Sequence, residues 1–504
     1  MADDNSYMLI MSSEVWQAHW DESVTTTQCG PDGLSGFDTV TVPVRRRADA
    51  PRPEPPEGYV KVVGNGKSTI RLKHASTGGT LIVLEVLVPK WVAVSAEGKR
   101  KRVSEEIPFR DGNARRTRNF AKDVGRHMEG YGLTVKRCSE TCHTTPQAVK
   151  DIDLARLRKR YGDMRPTHYS TNLVIDEFMI QRPMRFATQV LDADTGELLY
   201  LEKGKGKAQA LHFFDWVGED FMSHVKAVSM DMNTNYSVAF VERYPQVDVV
   251  WDPFHVHQWF NKGLDSARRT ESNRLKREAD KKREAGDDEA ADELMAERKL
   301  LFGQRFNLLA NKRTLKAKDA LNAELNREAK EQAKRDGRNP NEVGRRRTDN
   351  LERLQTLLDT NDKLNAMLRA REELQDNLAL DDPTEMRRRL EEWVANWSKA
   401  GISQLTRFTK TIAKRMDGIV ARAEHHISSG IIEGTNTLVK NVRRMSFGMS
   451  DFDYFAYRLY EMTHLPNKRR KKLAGYVPRP YTRKKKRNKR SKKVTVFKPK
   501  ADSE

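Results

Sequence analysis

The sequence predicts an α/β chain in which a mixed sheet is interrupted by a long all-helical insertion. Three observations carry that expectation. Residues 173–180, 186–191 and 197–201 are short apolar stretches, the last two separated by Ala193-Asp194-Thr195-Gly196, and they read as three antiparallel strands joined by tight turns. Residues 208–222, 225–232, 235–243 and 247–251 then alternate helix, strand, helix, strand, the strands mostly apolar. From residue 257 to about 427 the chain is heavily charged, with apolar residues at helical spacing. The resulting order, βββαβαβ, sets two crossover-connected strands beside the first strand of a hairpin sheet. That is the plan of the ribonuclease-H-like fold.

Taken from the N-terminus, residues 1–57 hold scattered Pro, Gly and Asp without a sustained period, and Pro51-Arg52-Pro53-Glu54-Pro55-Pro56 reads as a stiff linker. This stretch is expected to be a flexible segment. Residues 58–110 contain Thr69-Ile70-Arg71-Leu72-Lys73, a Gly78-Gly79 turn and the apolar run 81–88, a small β-rich unit of short strands. Residues 111–165 form a predicted helix-turn-helix region. An amphipathic basic helix spans 117–128, and helices over 135–142 and 147–160 flank Thr144-Thr145-Pro146, with a Thr cap and Pro at the first helical position. Lys136, Arg137, Lys150 and Arg156 make this the candidate DNA-binding surface.

The sheet unit is expected over 166–260, an all-helical region over 261–427 and a last folded piece over 428–465. Within the insertion, residues 300–309 and the set Leu364, Met367, Leu368, Leu374 and Leu378 have helical spacing. Breaks fall near 337–340 and at Asp381-Asp382-Pro383, so long helical hairpins are predicted. Residues 466–504 are expected to be a disordered basic tail: from 467 onward there are 17 Lys or Arg against 2 acids, and such a run repels itself and buries nothing.

Composition narrows the function. Lys and Arg number 92 against 71 acids, a net charge of +21, which points to a polyanionic partner such as nucleic acid. The most apolar run, 81–88, is too short to span a bilayer and carries Glu85; the Met-Ala-Asp-Asp start lacks the features of a signal peptide. No membrane role is expected, and the predicted location is the cytoplasm, associated with the nucleoid. Cys29, Cys138 and Cys142 contain no Cys-x-x-Cys pair, so neither a disulfide framework nor a zinc site is predicted.

Two acids stand out. Asp176 lies inside the apolar strand Leu173-Val174-Ile175-Asp176-Glu177-Phe178, and Asp231 ends Val228-Ser229-Met230-Asp231. Burying a carboxylate costs several kcal/mol unless something compensates it. Two such acids on neighbouring strands therefore point to a hard divalent cation, Mg²⁺ or Mn²⁺. Glu177, Asp252 and Glu433 are candidates for a third ligand. Glu177 points to the opposite face of its strand. Asp252 ends the strand beyond that of Asp231, roughly 10 Å from the first strand at ~4.8 Å per step, which suits an accessory role. Glu433 sits in Gly430-Ile431-Ile432-Glu433-Gly434-Thr435-Asn436, before a helix bearing Lys440, Arg443 and Arg444. That setting suits a metal ligand with phosphate-clamping neighbours; a helix-start acid favoured by the dipole is the alternative.

These residues carry a resemblance. The chain resembles the DDE transposases of bacterial insertion sequences, specifically the ISL-three family. The matching pieces are Val174-Ile175-Asp176-Glu177-Phe178; residues 227–232 with Tyr236; residues 244–256, including Asp252-Pro253-Phe254-His255, with Asn261 and Arg268-Arg269; residues 301–309 with Asn311; and Ile432-Glu433-Gly434-Thr435-Asn436 with Lys440, Arg444, Gly448 and Phe452. The resemblance covers about residues 60–465. It implies a ribonuclease-H-like domain, a metal-binding catalytic triad of Asp176, Asp231 and Glu433 with two Mg²⁺ (or Mn²⁺) ions, and Asp252 and His255 as an accessory motif. It also implies double-stranded DNA partners, terminal inverted repeats and target, with Asn436, Lys440, Arg443 and Arg444 among the DNA-binding residues, and a homo-oligomer of two or more chains. The family carries a cysteine-rich zinc element before its helix-turn-helix, but residues 59–94 hold no cysteine, so packing alone is expected to hold that unit. The alternatives are a nuclease on the same fold without strand transfer, and a non-catalytic DNA-binding remnant.

Overall fold

The computed structural model describes residues 15–466, apart from 30–35, 78–79, 182–184, 233–234, 345, 428–429 and 447–450. The predicted basic tail and the Gly78-Gly79 turn lie outside the described residues. What is described is a mixed α/β chain with two sheets and many helices.

The first sheet has strands β1 (Trp16–Ala18), β2 (Val24–Cys29), β3 (Gly36–Arg46), β4 (Lys61–Thr77), β5 (Thr80–Val94) and β6 (Arg100–Val103). Its order is β1-β3-β5-β4, with β2 on β3 and β6 on β5. Within the segment expected to be flexible over 1–57, this corrects the expectation for the strands β1, β2 and β3, because β3 inserts parallel to β5, from Asp38 opposite Thr80 to Arg45 opposite Leu87. The physical reason lies in Thr39-Val40-Thr41-Val42-Pro43-Val44, whose alternate residues Val42 and Val44 are fully buried with Trp16, Leu72, Leu84 and Val86. The pattern has the strand period, but its partner lies some forty residues further along the chain. The strands expected to be short are instead long, 17 residues for β4 and 15 for β5.

Three helices follow: α1 (Arg118–Met128), α2 (Val135–Thr141) and α3 (Pro146–Tyr161). Each begins at a threonine whose side chain accepts a backbone N–H: Thr117 from Phe120, Thr134 from Arg137 and Thr145 from Ala148. Val124, Val135, Cys138, Val149 and Leu157 meet at their centre, all fully buried.

The second sheet contains β7 (Asn172–Gln181), β8 (Arg185–Asp192), β9 (Leu198–Lys203), β10 (Ala227–Met230) and β11 (Asp248–Trp251), with α4 (Lys207–Ser223) and α5 (Asn235–Arg243) between its later strands. The order is β11-β10-β7-β8-β9. β7, β10 and β11 are parallel, and β8 and β9 run antiparallel. Alternation along β7 divides the chemistry. Leu173 and Ile175 pack with Phe213, Phe214 and Phe240 of α4 and α5, while Val174 and Phe178 face the other way. Helix α4 breaks its helical geometry at Gly218, whose φ is 83°.

The helical region comprises α6 (Pro253–Glu284), α7 (Asp288–Gly303), α8 (Arg305–Leu309), α9 (Lys312–Arg335), α10 (Asn350–Thr360), α11 (Asp362–Leu378), α12 (Pro383–Ser398), α13 (Ser403–Lys414) and α14 (Met416–His425). α6 runs unbroken through the boundary expected between residues 260 and 261, so core and insertion share one 32-residue helix. α14 returns against β11 at Gly418, where a Cβ would lie 2.5 Å from the Val249 carbonyl oxygen and 2.6 Å from the Trp251 ring. Glycine is required there by close approach. The chain then forms α15 (Gly430–Met445) and α16 (Phe452–Thr463), whose Val439, Val442, Phe455 and Leu459 cover the Val174 face of the second sheet.

A buried ionic network fastens α3 to α16. Arg156 donates to Glu461 at 2.7 Å and also pairs with Asp153. Arg458, 1% exposed, donates to Glu461 at 2.6 Å and to the carbonyls of Met128 and Gly130. The Tyr454 hydroxyl donates to Asp153 at 2.9 Å. Every acid in this group meets a guanidinium or a hydroxyl, which is the condition for burying charge.

Candidate active site

The parallel strands bring three aspartates into one row. Ser229 of β10 lies opposite Val174 of β7, and Met230 opposite Trp251 of β11. Carrying those registers onward sets Asp231 beside Asp176 on one side and beside Asp252 on the other, at ~4.8 Å per strand step. The row crosses the carboxyl ends of β10 and β11, where open α/β sheets present their ligand sites. Asp176 shares the face of Val174, towards α15. Glu177 projects to the other face, as alternation requires, and hydrogen-bonds Tyr236, whose hydroxyl is 2.8 Å from Thr188 Oγ1.

Asp176 is 9% exposed, and burial raises its carboxyl above the usual carboxylate range, against the effect of the Asn436 amide. Asn436 Nδ2 donates to Asp176 Oδ2 at 3.0 Å, and Gln189 Nε2 donates to Asn436 Oδ1 at 3.2 Å. Among the described residues no lysine or arginine forms an ion pair with Asp176. Asp252 is 2% exposed and caps α6: Oδ1 accepts the Phe254 N–H at 3.0 Å, and Oδ2 lies 3.1 Å from His255 Nδ1. The hydrogen bond to Asp252 raises the His255 imidazole above its ordinary value, burial opposes it, and the charges of Asp252, Asp231 and Asp176 add to the rise.

Two clefts meet at His255. One, of about 660 Å³, is lined by Asp176, Asp252, His255, Glu433, Asn436 and Lys440. Its neighbour, of about 410 Å³, is lined by Asp231, His255, Trp259, Lys262 and Arg415 among others. Glu433 lies in the first turn of α15, exposed, and seven residues on Lys440 occupies the same helix face. Thus Asp176 and Glu433 face one cleft, and Asp231 opens into the adjoining one. The three carboxylates do not close to within 4.8 Å of one another, as Asp248, Glu424 and His425 do at the opposite end of β11. Like charges repel, and gathering three of them needs a shared cation.

The expected DNA-binding residues divide. Lys136 and Arg137 are exposed on α2, and the Lys150 ammonium stands 5.9 Å from the centre of the Tyr454 ring. Arg443 and Arg444 are exposed on α15. Arg156 does not fit the expectation: its guanidinium is engaged by Glu461 and Asp153, and its side chain is 20% exposed. Asn436 lines the acid cleft and donates to Asp176. Residues not singled out from sequence include Gln189, Lys262 and Arg415. For Gln189 a signal existed, a polar side chain in the apolar strand Ala187-Thr188-Gln189-Val190, the same anomaly that marked Asp176. Lys262 and Arg415 gave no such signal among so many cations.

Comparison with known proteins follows the same ground. The DDE family of ISL3 type, described as Transposase, matches residues 173–459. The transposase for insertion sequence element IS1001 of Bordetella parapertussis is 26% identical over 314 residues, 62% of this chain and 65% of that protein. The transposase for insertion sequence element IS1557 of Mycobacterium tuberculosis (strain ATCC 25618 / H37Rv) is 25% identical over 279 residues, 54% of this chain and 56% of that protein. The chain therefore spans less than two thirds of the length of these curated relatives.

Proposed function

This chain belongs to the ISL3 family of transposases, and from that premise we propose that it binds the terminal inverted repeats of its element and catalyses metal-dependent DNA cleavage and strand transfer. The observation that carries the reading is the placement of Asp176 and Glu433 on one cleft, with Asp231 a single strand step from Asp176. We assign 166–260 and 428–465 as the two parts of a ribonuclease-H-like core around the 261–427 insertion.

The donor set fits a hard divalent cation, being all carboxylate oxygen, with a buried aspartate that no lysine or arginine pairs with among the described residues. Asp176, Asp231 and Glu433 would hold Mg²⁺ or Mn²⁺. When bound, such ions lower the pKa of an attacking hydroxyl and neutralise charge on the scissile phosphate. Asn436, steadied by Gln189, orients the Asp176 carboxylate. Asp252 fixes the His255 ring between the two clefts. Lys440, with Arg443 and Arg444 on the same helix, meets DNA phosphates. Lys136, Arg137 and Lys150 on the α2–α3 pair contact the repeat as a helix-turn-helix, and a homo-oligomer brings two ends together.

The test is an end-labelled inverted-repeat duplex incubated with the protein and Mg²⁺ or Mn²⁺. Cleavage and joined products are expected from the wild-type chain and neither from Asp176→Asn or Glu433→Gln, although both still bind the duplex. Cleavage without joining indicates a nuclease. Joining by either variant removes these residues from the chemistry.

A further inference from the structure

At the end of β11 away from the acid cleft, three further metal-ligating side chains meet. Asp248 opens that strand, and Glu424 and His425 close α14. Asp248 and His425 are 177 positions apart, so no spacing in the sequence announces the group. The packing of α14 on β11 makes it: Gly418 abuts the Val249 carbonyl, and Ile419, Val420 and Ala423 of the same helix are buried. Ligands held by a helix and a strand are placed more precisely than ligands on loops. One ligand atom from each of the three lies within 4.8 Å of the others, with His425 Nε2 2.8 Å from Asp248 Oδ2.

An ion pair between His425 and Asp248 accounts for two members of this group and leaves the third unexplained. Glu424 has no ion pair among the described residues, although its carboxylate stands close to that of Asp248, and like charges brought together disfavour each other. The nearest guanidinium in the chain does not close the charge: Arg422, two residues before Glu424, donates instead to the Leu378 carbonyl at 2.7 Å. We propose that Asp248, Glu424 and His425 bind a borderline divalent cation, Zn²⁺. One imidazole and two carboxylates match its mixed nitrogen and oxygen preference, whereas the all-oxygen set of Asp176, Asp231 and Glu433 matches Mg²⁺. Two carboxylates and a neutral imidazole also leave a Zn²⁺ complex without net charge. A tetrahedral ion at roughly 2.1 Å from each ligand holds the ligand atoms about 3.4 Å apart, a separation that the exposed Asp248 and Glu424 reach by side-chain rotation. His425 Nε2 then gives its lone pair to the ion in place of the hydrogen bond to Asp248, and water takes the fourth position. The ion ties the end of α14 to the start of β11.

The test is equilibrium dialysis of the full chain, first stripped with EDTA, against Zn²⁺, together with thermal melts. The wild-type chain is expected to bind one equivalent of Zn²⁺ more than Asp248→Asn, Glu424→Gln or His425→Gln, and to gain roughly 2–4 °C in Tm with Zn²⁺ that all three variants lose. The double variant Glu424→Gln/His425→Gln is expected to lose that one equivalent and no more, since both residues serve one ion. Asp176→Asn keeps it. Glu424→Gln is decisive because it has no ion pair to lose: in EDTA it should melt with the wild-type chain, so a lost equivalent cannot come from misfolding. If Glu424→Gln binds as much Zn²⁺ as the wild-type chain, the group is an ion pair beside an acid and the site is overturned. A wild-type Tm that Zn²⁺ leaves unchanged overturns it without recourse to any variant. Neither readout involves DNA, so the site stands or falls apart from the catalytic reading.

Discussion

Two buried sets of acids behave differently in this molecule. Between α3 and α16, Asp153 and Glu461 are fully buried, and each meets Arg156, Arg458 or the Tyr454 hydroxyl at hydrogen-bonding distance. Those neighbours hold the Arg156 guanidinium above even its ordinary value, against the effect of burial. In the sheet, Asp176 is also buried, but its partner is the neutral amide of Asn436, and its carboxyl is pushed up. The first set is electrically closed and serves as a fastener. The second meets a neutral amide and no guanidinium, with only the His255 charge acting on it, which leaves room for a cation and a phosphodiester. Burial alone does not distinguish a structural acid from a functional one; the identity of the partner does.

Mutations sharpen that contrast, beginning with the largest effect. Asp176→Asn should lower the cleavage rate on the order of a thousandfold or more, yet leave Tm unchanged or slightly raised, because an uncompensated buried charge is removed and little volume changes. A large drop in Tm would place Asp176 with the fasteners. Glu461→Gln should show the opposite profile. It leaves Arg156 and Arg458 without their shared acid, and the cost to stability should be about 3–5 kcal/mol, read from urea unfolding curves; a variant as stable as the parent would mean the network contributes nothing.

Asn436→Ala comes next. Loss of the amide that orients Asp176 should weaken metal affinity by roughly 10–100-fold, measurable as a higher Mn²⁺ concentration needed for half-maximal cleavage, with end binding retained. An unchanged metal requirement together with weaker DNA binding would return Asn436 to the DNA-contacting set. The smallest effect is expected from Thr145→Ala, which removes the hydroxyl capping α3 and should cost about 1 kcal/mol without altering the rate per folded molecule. Thermal melts and active-site titration together separate the two quantities.

Much of this is legible in the sequence, and what is not follows one physical line. The seven elements of the second sheet and its crossovers could be read because strand and helix periods are local: Leu173-Val174-Ile175 and the turn Ala193-Asp194-Thr195-Gly196 announce themselves within a few residues. The threonine cap before α3, and Pro146 at its start, are equally local. Asp176 stood out because a carboxylate inside an apolar strand is costly wherever that strand goes. What only the tertiary structure decided were pairings between distant residues. β3 found β5 across a Pro-rich stretch, so residues 36–46 are a sheet strand rather than part of a flexible segment. Arg156, one basic residue among many in sequence, meets Glu461 some three hundred positions away, and Asn436 meets Asp176. The sequence by itself determined which residues are expensive to bury and which segments have a period. The folded chain decided what each of them meets, because the partner that closes a charge or completes a sheet is set by packing in space, and no local pattern encodes it.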